Sequence, residues 1–454
     1  MSISEVNMKF AVKENIMPWG LETFAMFSII YNSDNADQPI DAVAFSEIIT
    51  KIRNYWHPEL QLAEVAGIYP EVFMMVTLLQ QAPVQGVYLQ KLFRYNYFFN
   101  FVNDKVDMSK EFCNKFQVPY LEYIIFACIV FLYCSHESST HCVPDDYKKL
   151  LQKAYKKKEV FKELSIEMSE YKNQLSTIYK DNILDYYFGL KIQYVYPLII
   201  GPEYTYIPSP YLVINAITES MLNRLTYCNP RLRNLFGKEV IESYLFDIYK
   251  DLPDVTWISR EITYRIGRQE FKTPDVLVSE NTYCTFYDTK ALSPSLKVRQ
   301  FNKEEINDEI KIYADCIRQI YERITNYLAG HFTLDKKYNQ DHIFGAVVVL
   351  EDAVLPREKV YNKVFDTYRE NIGCISEAEI NYIRSHIKIV PLKQLESMIL
   401  QNSSFLQCLI DQSEQQKYWD DINLCHPTVD RGLLPLYKEF VEKTKAAVSK
   451  YLIS

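Results

Sequence analysis

Glycine is scarce in this chain, with 11 residues among 454. Neither G-x-x-x-x-G-K-[ST] nor G-x-G-x-x-G occurs, and both phosphate-cradling patterns depend on glycines at fixed spacing. The G-x-S-x-G pattern of serine hydrolases is absent as well. These absences argue against a P-loop ATPase, a Rossmann dehydrogenase and an α/β-hydrolase.

The chain also lacks a C-x-x-C pair among its ten cysteines, and its first residues lack the basic and then apolar pattern of a signal peptide. Scattered cysteines in a chain of this kind are most simply reduced thiols, so we expect a cytoplasmic protein. The longest apolar run, Tyr123 to Cys134, is too short to span a bilayer. It predicts a buried helix, and no membrane partner is expected.

An excess of positive charge is missing too, because the formal net charge is −8. Proteins that coat nucleic acid without regard to sequence are usually basic. A local basic patch can still bind phosphates on an acidic protein. The charge therefore argues against extensive, sequence-independent binding of DNA, but it does not exclude a nuclease.

Three segments are predicted along the chain. Residues 1–200 form a mostly helical domain of unknown role, with apolar residues at spacings of three and four. Prolines and a glycine between Pro197 and Pro210 mark its edge. Residues 201–400 form a second domain, and residues 401–454 form a helical C-terminal extension. The first domain is expected to recognise a target, sense a signal or bind a partner.

In the second domain the apolar period changes from helical to alternating and back. We predict a helix, three strands, a helix and a strand over about 232–249, 255–266, 271–278, 283–290, 303–328 and 344–350. A further short strand is predicted over 387–390. The fold class is therefore α+β or α/β, in the order α-β-β-β-α-β.

Acidic residues lie at two points of the predicted strands. Pro274-Asp275 falls inside the second strand, and Asp288-Thr289-Lys290 closes the third. Because side chains alternate along a strand, Asp288 and Lys290 share a face, and Asp275 can come alongside them. Two neighbouring carboxylates suit Mg²⁺, which prefers oxygen ligands, and a nearby lysine can stabilise a phosphoryl transition state.

This order of elements, with Pro-Asp and then Asp-x-Lys, resembles the PD-(D/E)xK nuclease superfamily over about a quarter of the chain, from Leu232 to Leu350. The resemblance implies a restriction-endonuclease-like core with a mixed central sheet. It implies that Asp275 and Asp288 bind Mg²⁺ or Mn²⁺, that Lys290 is catalytic, and that the main-chain carbonyl of Thr289 is a further metal ligand.

Members of this superfamily often carry a glutamate on the helix before the strands, and this chain offers Glu239 and Glu242. Glu242 is preferred as a metal ligand because it follows the glycine at about the distance seen in relatives, although a solvated surface glutamate is an equal alternative. On the following helix, the polar residues that could face the site are Lys311, Arg318 and Gln319.

The sequence thus predicts a Mg²⁺-dependent endonuclease that hydrolyses phosphodiester bonds of nucleic acid, with DNA preferred. A large helical region fused to such a core is, by architectural analogy, typical of bacterial antiviral defence effectors. A homodimer or a partner protein bound through residues 1–200 is the expected assembly. The alternative function is a catalytically silent nuclease fold that acts as a scaffold or as a binding subunit of a larger complex.

Overall fold

The structure is a computed structural model. It describes residues 42–54, 88–140, 158–178, 192–202, 205–208, 210–294, 303–351, 355–400, 405–407, 409–410 and 434–453, together with residues 24, 26, 28 and 298. The chain divides into two compact units. The first comprises Met1–Asn100, Asp107–Cys228 and Lys443–Ser454, and the second comprises Phe101–Val106 and Asn229–Glu442.

This division differs from the sequence-based bounds at residues 200 and 400. It assigns the helical stretch from Pro210 to Thr226 to the first unit, and it assigns the short segment Phe101–Val106 to the second. No helix among the described residues is long and apolar enough to cross a lipid bilayer.

The described residues of the first unit are largely helical, in line with the helical region predicted for residues 1–200. Its helices are α1 (Ala42–Asn54), α2 (Tyr88–Asn100), α3 (Met108–Phe116), α4 (Tyr120–Thr140), α5 (Lys158–Leu164), α6 (Met168–Ile178), α7 (Pro210–Asn215) and α8 (Met221–Thr226). The predicted buried helix over residues 123–134 is confirmed within α4, where Tyr123, Ile124 and Val130 are fully buried.

A small sheet in this unit was not predicted. Its strands are β1 (Ser165–Glu167), β2 (Leu198–Ile200) and β3 (Thr205–Tyr206), with β1 parallel and β3 antiparallel to β2. Ile166 and Ile199, which are paired neighbours in this sheet, join a buried cluster with Tyr171 and Leu175 of α6. Three-residue strands carry too few residues for an alternating pattern to be recognised.

The second unit is built around a larger sheet. Its elements are α9 (Pro230–Leu235), α10 (Glu242–Tyr249), β4 (Val255–Arg260), β5 (Thr263–Ile266), β6 (Gln269–Lys272), β7 (Val276–Glu280), β8 (Tyr283–Lys290), α11 (Lys303–Leu328), β9 (Ile343–Val349), α12 (Arg357–Ile372), α13 (Glu377–His386), β10 (Ile387–Pro391) and α14 (Leu392–Leu400). The C-terminal helix α15 covers Pro435–Ile453.

The central sheet has the strand order β10–β9–β8–β7–β4. Strands β4, β7 and β8 pair antiparallel, whereas β8, β9 and β10 pair parallel. Parallel neighbours need a crossover, which α11 supplies between β8 and β9 and which α12 and α13 supply between β9 and β10. The mixed α/β class and the mixed sheet are confirmed. The restriction-endonuclease-like assignment of this core stays a prediction.

A hairpin interrupts the predicted three-stranded meander. The first predicted strand breaks into β4 and β5, and the second breaks into β6 and β7, with β5 and β6 paired as a separate two-stranded sheet. Pro274 lacks the N–H that a ladder needs, so β7 begins only at Val276. The prediction that Pro274-Asp275 lies inside the second strand was therefore wrong, because Asp275 directly precedes β7.

The helix before the sheet is also interrupted. Between α9 and α10 the chain forms a π-helical stretch over Phe236–Ile241, and a second one lies between α7 and α8 over Ala216–Ser220. Gly237 lies in the first of these, and a Cβ atom there would meet the Cβ atom of Ala291 at 3.3 Å. Short π-helical stretches are frequent at functional sites, and this one leads directly into Glu242.

Candidate active site

The strand register brings the predicted aspartates together. Val276 pairs with Tyr287 in the antiparallel β7–β8 ladder, so one further step places Asp275 opposite Asp288. Directly opposed residues on adjacent strands project to the same face. Lys290 lies two residues beyond Asp288 on β8 and shares that face. These three residues, predicted from the motif, therefore meet at one end of the sheet.

Thr289 fixes the carboxylate of Asp275. Its main-chain N–H donates to Asp275 Oδ2 at 2.7 Å, and its hydroxyl donates to the same oxygen at 2.8 Å. Because β7 starts after Asp275, this side chain takes the place of a ladder acceptor for the Thr289 amide. The predicted role of the Thr289 carbonyl as a metal ligand stays a prediction.

Asp288 is buried and lies against Lys290. The Lys290 Nζ atom is 2.6 Å from Asp288 Oδ2, and the side chains are 31% and 13% exposed respectively. Among the described residues, this oxygen nevertheless has no partner that meets hydrogen-bond geometry, so the contact is an ion pair with poor directionality. The pair neutralises one carboxylate and leaves a buried acceptor short of a well-directed donor.

Burial and neighbouring carboxylates raise the pKa values of both aspartates. Burial, followed by repulsion from Asp288, raises the pKa of Asp275 to about 7, although the two bonds from Thr289 oppose the shift. Burial also raises the pKa of Asp288, against the attraction of Lys290. Burial by itself lowers the pKa of Lys290, but the attraction of Asp288, together with smaller contributions from Cys316 and Asp275, makes the net shift upward.

The structure separates the two helix glutamates. Burial, followed by repulsion from Asp275 and Glu261, raises the pKa of Glu242 to about 8. Glu239 instead accepts hydrogen bonds from Lys105 Nζ at 2.8 Å and from Asn103 Nδ2 at 3.1 Å. These bonds lower its pKa although burial opposes them. Glu242 therefore lies in the field of Asp275, whereas Glu239 is held by a lysine.

The polar residues suggested on the following helix are engaged elsewhere or exposed. Lys311 pairs with Asp308 within α11, and Arg318 pairs with acidic residues one turn before and one turn after it. Gln319 is exposed. No contact of these three side chains with the aspartates is observed among the described residues.

Other residues near the aspartates were missed by sequence reasoning. Arg323 and Cys316 lie on α11, two turns apart. The charge of Arg323 lowers the pKa of Asp288, and the charges of Asp288 and Lys290 act on the pKa of Cys316 in opposite directions. Glu261, at the end of β4, repels both Glu242 and Asp288. The spacing of seven between Cys316 and Arg323 puts both on one helix face, which is the only sequence signal that could have indicated them.

The donor set suits a hard divalent cation, although it is small. Among the described residues, no group of three or more His, Cys, Asp or Glu side chains is gathered closely enough to hold a metal ion. Mg²⁺ is usually held by only one or two carboxylates together with waters and substrate phosphates. The opposed Asp275 and Asp288, with their raised pKa values and the poorly bonded Asp288 Oδ2, are compatible with that kind of site.

Comparisons of the chain with models of protein families, with curated proteins and with solved structures find no match in any of the three. The case for a function therefore depends on the sheet topology and on the carboxylates themselves.

Proposed function

We propose that this chain is a Mg²⁺- or Mn²⁺-dependent nuclease that hydrolyses phosphodiester bonds, most simply those of DNA. The observation that carries the proposal is the placement of Asp275 opposite Asp288, with Lys290 beside them and Glu242 in the same electrostatic environment. We call Glu242, Asp275 and Asp288 the carboxylate cluster. A restriction-endonuclease-like assignment of the surrounding sheet and helices belongs to the same proposal.

Asp275 and Asp288 would hold the cation, with the Thr289 carbonyl and Glu242 as further candidate ligands. A bound divalent cation supplies an activated water and compensates charge on the phosphate. Thr289 holds the Asp275 carboxylate in one orientation through two donors. Lys290 keeps its proton and presents a positive charge beside Asp288, where it can stabilise negative charge developing on the phosphate.

Where it does not bind the cation itself, Glu242 would instead be the proton acceptor of the cluster. A group accepts a proton from water most effectively when its pKa lies near the working pH, and burial raises the pKa of Glu242 to about 8. A solvated surface glutamate would not have such a value. We therefore assign Glu242 to the site and Glu239 to the support of Lys105.

The test is cleavage of supercoiled plasmid and of single-stranded DNA by purified protein in Mg²⁺ or Mn²⁺. We expect cutting that EDTA abolishes and that Lys290→Ala and Asp288→Ala reduce by about 100-fold or more, because charge stabilisation in a dry site is worth that much. Asp247→Ala is the control for the aspartate variant, because Asp247 lies on the same helix as Glu242 and forms an ion pair with Lys250. Full activity in a folded Asp288→Ala variant would contradict the site.

The proposal extends to the assembly. Cutting both strands of DNA requires two active sites or two binding events, so a homodimer is attractive. Residues 1–200 would then choose the target, sense a trigger or bind a partner, as in an antiviral defence effector. Size-exclusion chromatography with light scattering, with and without DNA, tests the homodimer directly.

A silent scaffold is the second candidate function. The ion pair between Lys290 and Asp288 neutralises one carboxylate without a metal, and the described residues show no larger group of ligands. Calorimetric titration with Mn²⁺ separates the two functions. Saturable binding that Asp275→Asn removes supports the nuclease, whereas no binding together with an unaffected Asp275→Asn variant supports the scaffold.

A further inference from the structure

A β-hairpin leads directly into the candidate site. It comprises β5 and β6, from Thr263 to Lys272, and only Thr273 and Pro274 separate it from Asp275. Its base is closed by two bonds, from the Thr273 N–H to the Ile262 carbonyl at 2.9 Å and from the Ile262 N–H to Thr273 Oγ1 at 2.8 Å. The position of the hairpin is thereby linked to the position of Asp275.

One face of this hairpin is packed against the rest of the second unit. Tyr264 contacts the rings of Phe271 and Phe332 at centroid distances of 5.8 and 4.7 Å. Its hydroxyl accepts a hydrogen bond from Asn326 Nδ2 at 2.8 Å, and the guanidinium of Arg323 lies 5.5 Å from the centre of the Phe271 ring. The hairpin is thus an anchored element, which could hold a ligand in a fixed place.

The other face of the hairpin is exposed and rich in basic residues. The register pairs Thr263 with Lys272 and Arg265 with Glu270, so these four side chains share the face opposite Tyr264. All four are exposed, and Arg268 is exposed at the turn. Residues 263–272 contain three basic side chains and one acidic one, within a chain of net charge −8.

Two lysines lie where the hairpin meets the carboxylate cluster. Lys272 Nζ donates to Glu261 at 2.6 Å, and Lys105 Nζ donates to Glu239 at 2.8 Å. These bonds raise the pKa of both lysines, and both lysines also feel the charge of Glu242. Each therefore carries a proton at physiological pH beside the candidate metal ligands.

We propose that Lys105, Lys272 and the exposed face of the hairpin bind the phosphate backbone of DNA next to the phosphate that is cleaved. The inference rests on the proposed function and names the surface through which the substrate is held. The carboxylate cluster repels a polyanion, so a substrate that reaches it needs fixed positive charge nearby. The side chains of both lysines are exposed although their glutamate partners are less so, and water that reaches the lysines screens the attraction and lets them exchange partners. A two-stranded ribbon also fits the major groove of DNA.

The test is fluorescence anisotropy with a short labelled DNA duplex at several salt concentrations. Ca²⁺ replaces Mg²⁺, so that metal ligands are engaged while cleavage is suppressed by the different geometry that Ca²⁺ adopts. We expect Lys105→Gln/Lys272→Gln to weaken binding about tenfold or more and to reduce the slope of log K against log salt by about two, one for each lost phosphate contact.

Lys250→Gln is the matched control, because Lys250 is a lysine of the same unit that donates to an aspartate at 2.8 Å. Its affinity and salt slope should equal those of the unchanged protein. A lysine double variant that also behaves like the unchanged protein would overturn the proposal.

A second comparison asks whether Lys105 contacts DNA or only neutralises Glu239. If Lys105 contacts phosphate, Lys105→Gln/Glu239→Gln should still bind DNA weakly and with a reduced salt slope. Full recovery of affinity in that double variant would show that neutralisation is its only role, and it would overturn the assignment of Lys105.

Cleavage assays on the same preparations separate this inference from the proposed function. A protein that cuts plasmid while the lysine variants bind and cut normally keeps the nuclease function and loses the assigned surface. A protein that neither binds nor cuts DNA loses both.

Discussion

At the scale of single residues, the carboxylate cluster is short of positive charge. Asp275 and Asp288 lie at one end of the sheet and Glu242 feels the charge of Asp275, whereas Lys290 is the one cation among the described residues that forms an ion pair with either aspartate. Burial makes ionisation costly, and each ionised carboxylate makes the next one costlier. The cluster can therefore relieve this cost in two ways, by taking up protons or by binding a divalent cation.

The first prediction concerns stability without metal. Asp275 and Glu242 have pKa values of about 7 and about 8 in the folded state, above those of carboxyl groups in the unfolded chain. At pH values between the unfolded and the folded pKa, the folded state therefore binds more protons than the unfolded state. The contribution of these protons to the free energy of unfolding is fully present below about pH 4, and it is lost as the pH rises towards about 8. Thermal denaturation in EDTA should show a declining midpoint over that window.

Asp275→Asn provides the control for this pH dependence. The amide cannot ionise, so the midpoint of the variant should decline less steeply between about pH 5 and pH 8 than that of the unchanged protein. Equal slopes in the two proteins would mean that Asp275 does not titrate in this range.

The second prediction concerns the cation. On the proposed function, a metal ion would bind the ionised carboxylates, so protons would compete with it for Asp275 and Glu242. We expect calorimetry to show that Mn²⁺ affinity rises about tenfold or more from pH 6 to pH 8, with proton release on binding. Glu242→Gln should bind with a weaker dependence on pH. An affinity that is constant with pH would exclude these two groups as the competing sites.

At the scale of elements, the sequence predicted those strands whose pattern is unbroken. The third strand was placed at Tyr283–Lys290 and the structure has the same bounds, because five of these eight residues have aromatic or β-branched side chains, which favour a strand. The first two strands were predicted as continuous. The chain turns away after Arg260 to form the hairpin, and local propensity is high on both sides of that break, so the sequence pattern does not show it.

The sequence likewise predicted some residues of the candidate site and not others. Asp275, Asp288 and Lys290 lie within 16 consecutive residues, so motif and strand alternation were enough to place them together. The choice between Glu239 and Glu242 depends on a π-helical stretch that shifts the helix register, and no residue pattern indicates that stretch reliably. Lys105 was missed because it lies 134 residues before the glutamate that it contacts.

The third prediction concerns the packing of α11 on the central sheet. Gly345 of β9 leaves room for Ile320, and a Cβ atom at this glycine would clash with Ile320 Cγ2. The methyl group of a β-branched side chain cannot move aside easily. We expect Gly345→Ala to destabilise the second unit by about 1–3 kcal/mol, measured as a lower urea midpoint with an unchanged slope.

A double-mutant cycle isolates this contact. Ile320→Ala removes the clashing methyl group and should cost about 2–4 kcal/mol alone, because it leaves a cavity in a buried position. Combined with Gly345→Ala, the total cost should fall short of the sum by about 1 kcal/mol or more, since the new methyl group occupies that space. Strict additivity would show that Ile320 does not limit the size of residue 345.

At the scale of the whole molecule, charge sets the conditions for binding DNA. The chain carries a net charge of −8, so its long-range field repels a polyanion. On the proposed function, attraction has to come from the exposed hairpin face, from the two lysines and from the cation that the carboxylate cluster would hold. Binding should therefore depend on divalent metal much more strongly than it does for a basic protein of equal size.

The last prediction follows from this balance. If DNA binds as proposed, the carboxylate cluster would face its backbone without a compensating cation in EDTA, whereas a bound Ca²⁺ ion would add two positive charges. Anisotropy titrations at constant ionic strength should show affinity for duplex DNA that is about tenfold or more higher in Ca²⁺ than in EDTA. In Asp275→Asn/Asp288→Asn this difference should disappear, and affinity in EDTA should rise because two acidic groups are gone. If the double variant keeps the full response to Ca²⁺, the cation acts elsewhere on the protein or on the DNA, and the cluster is not its binding site.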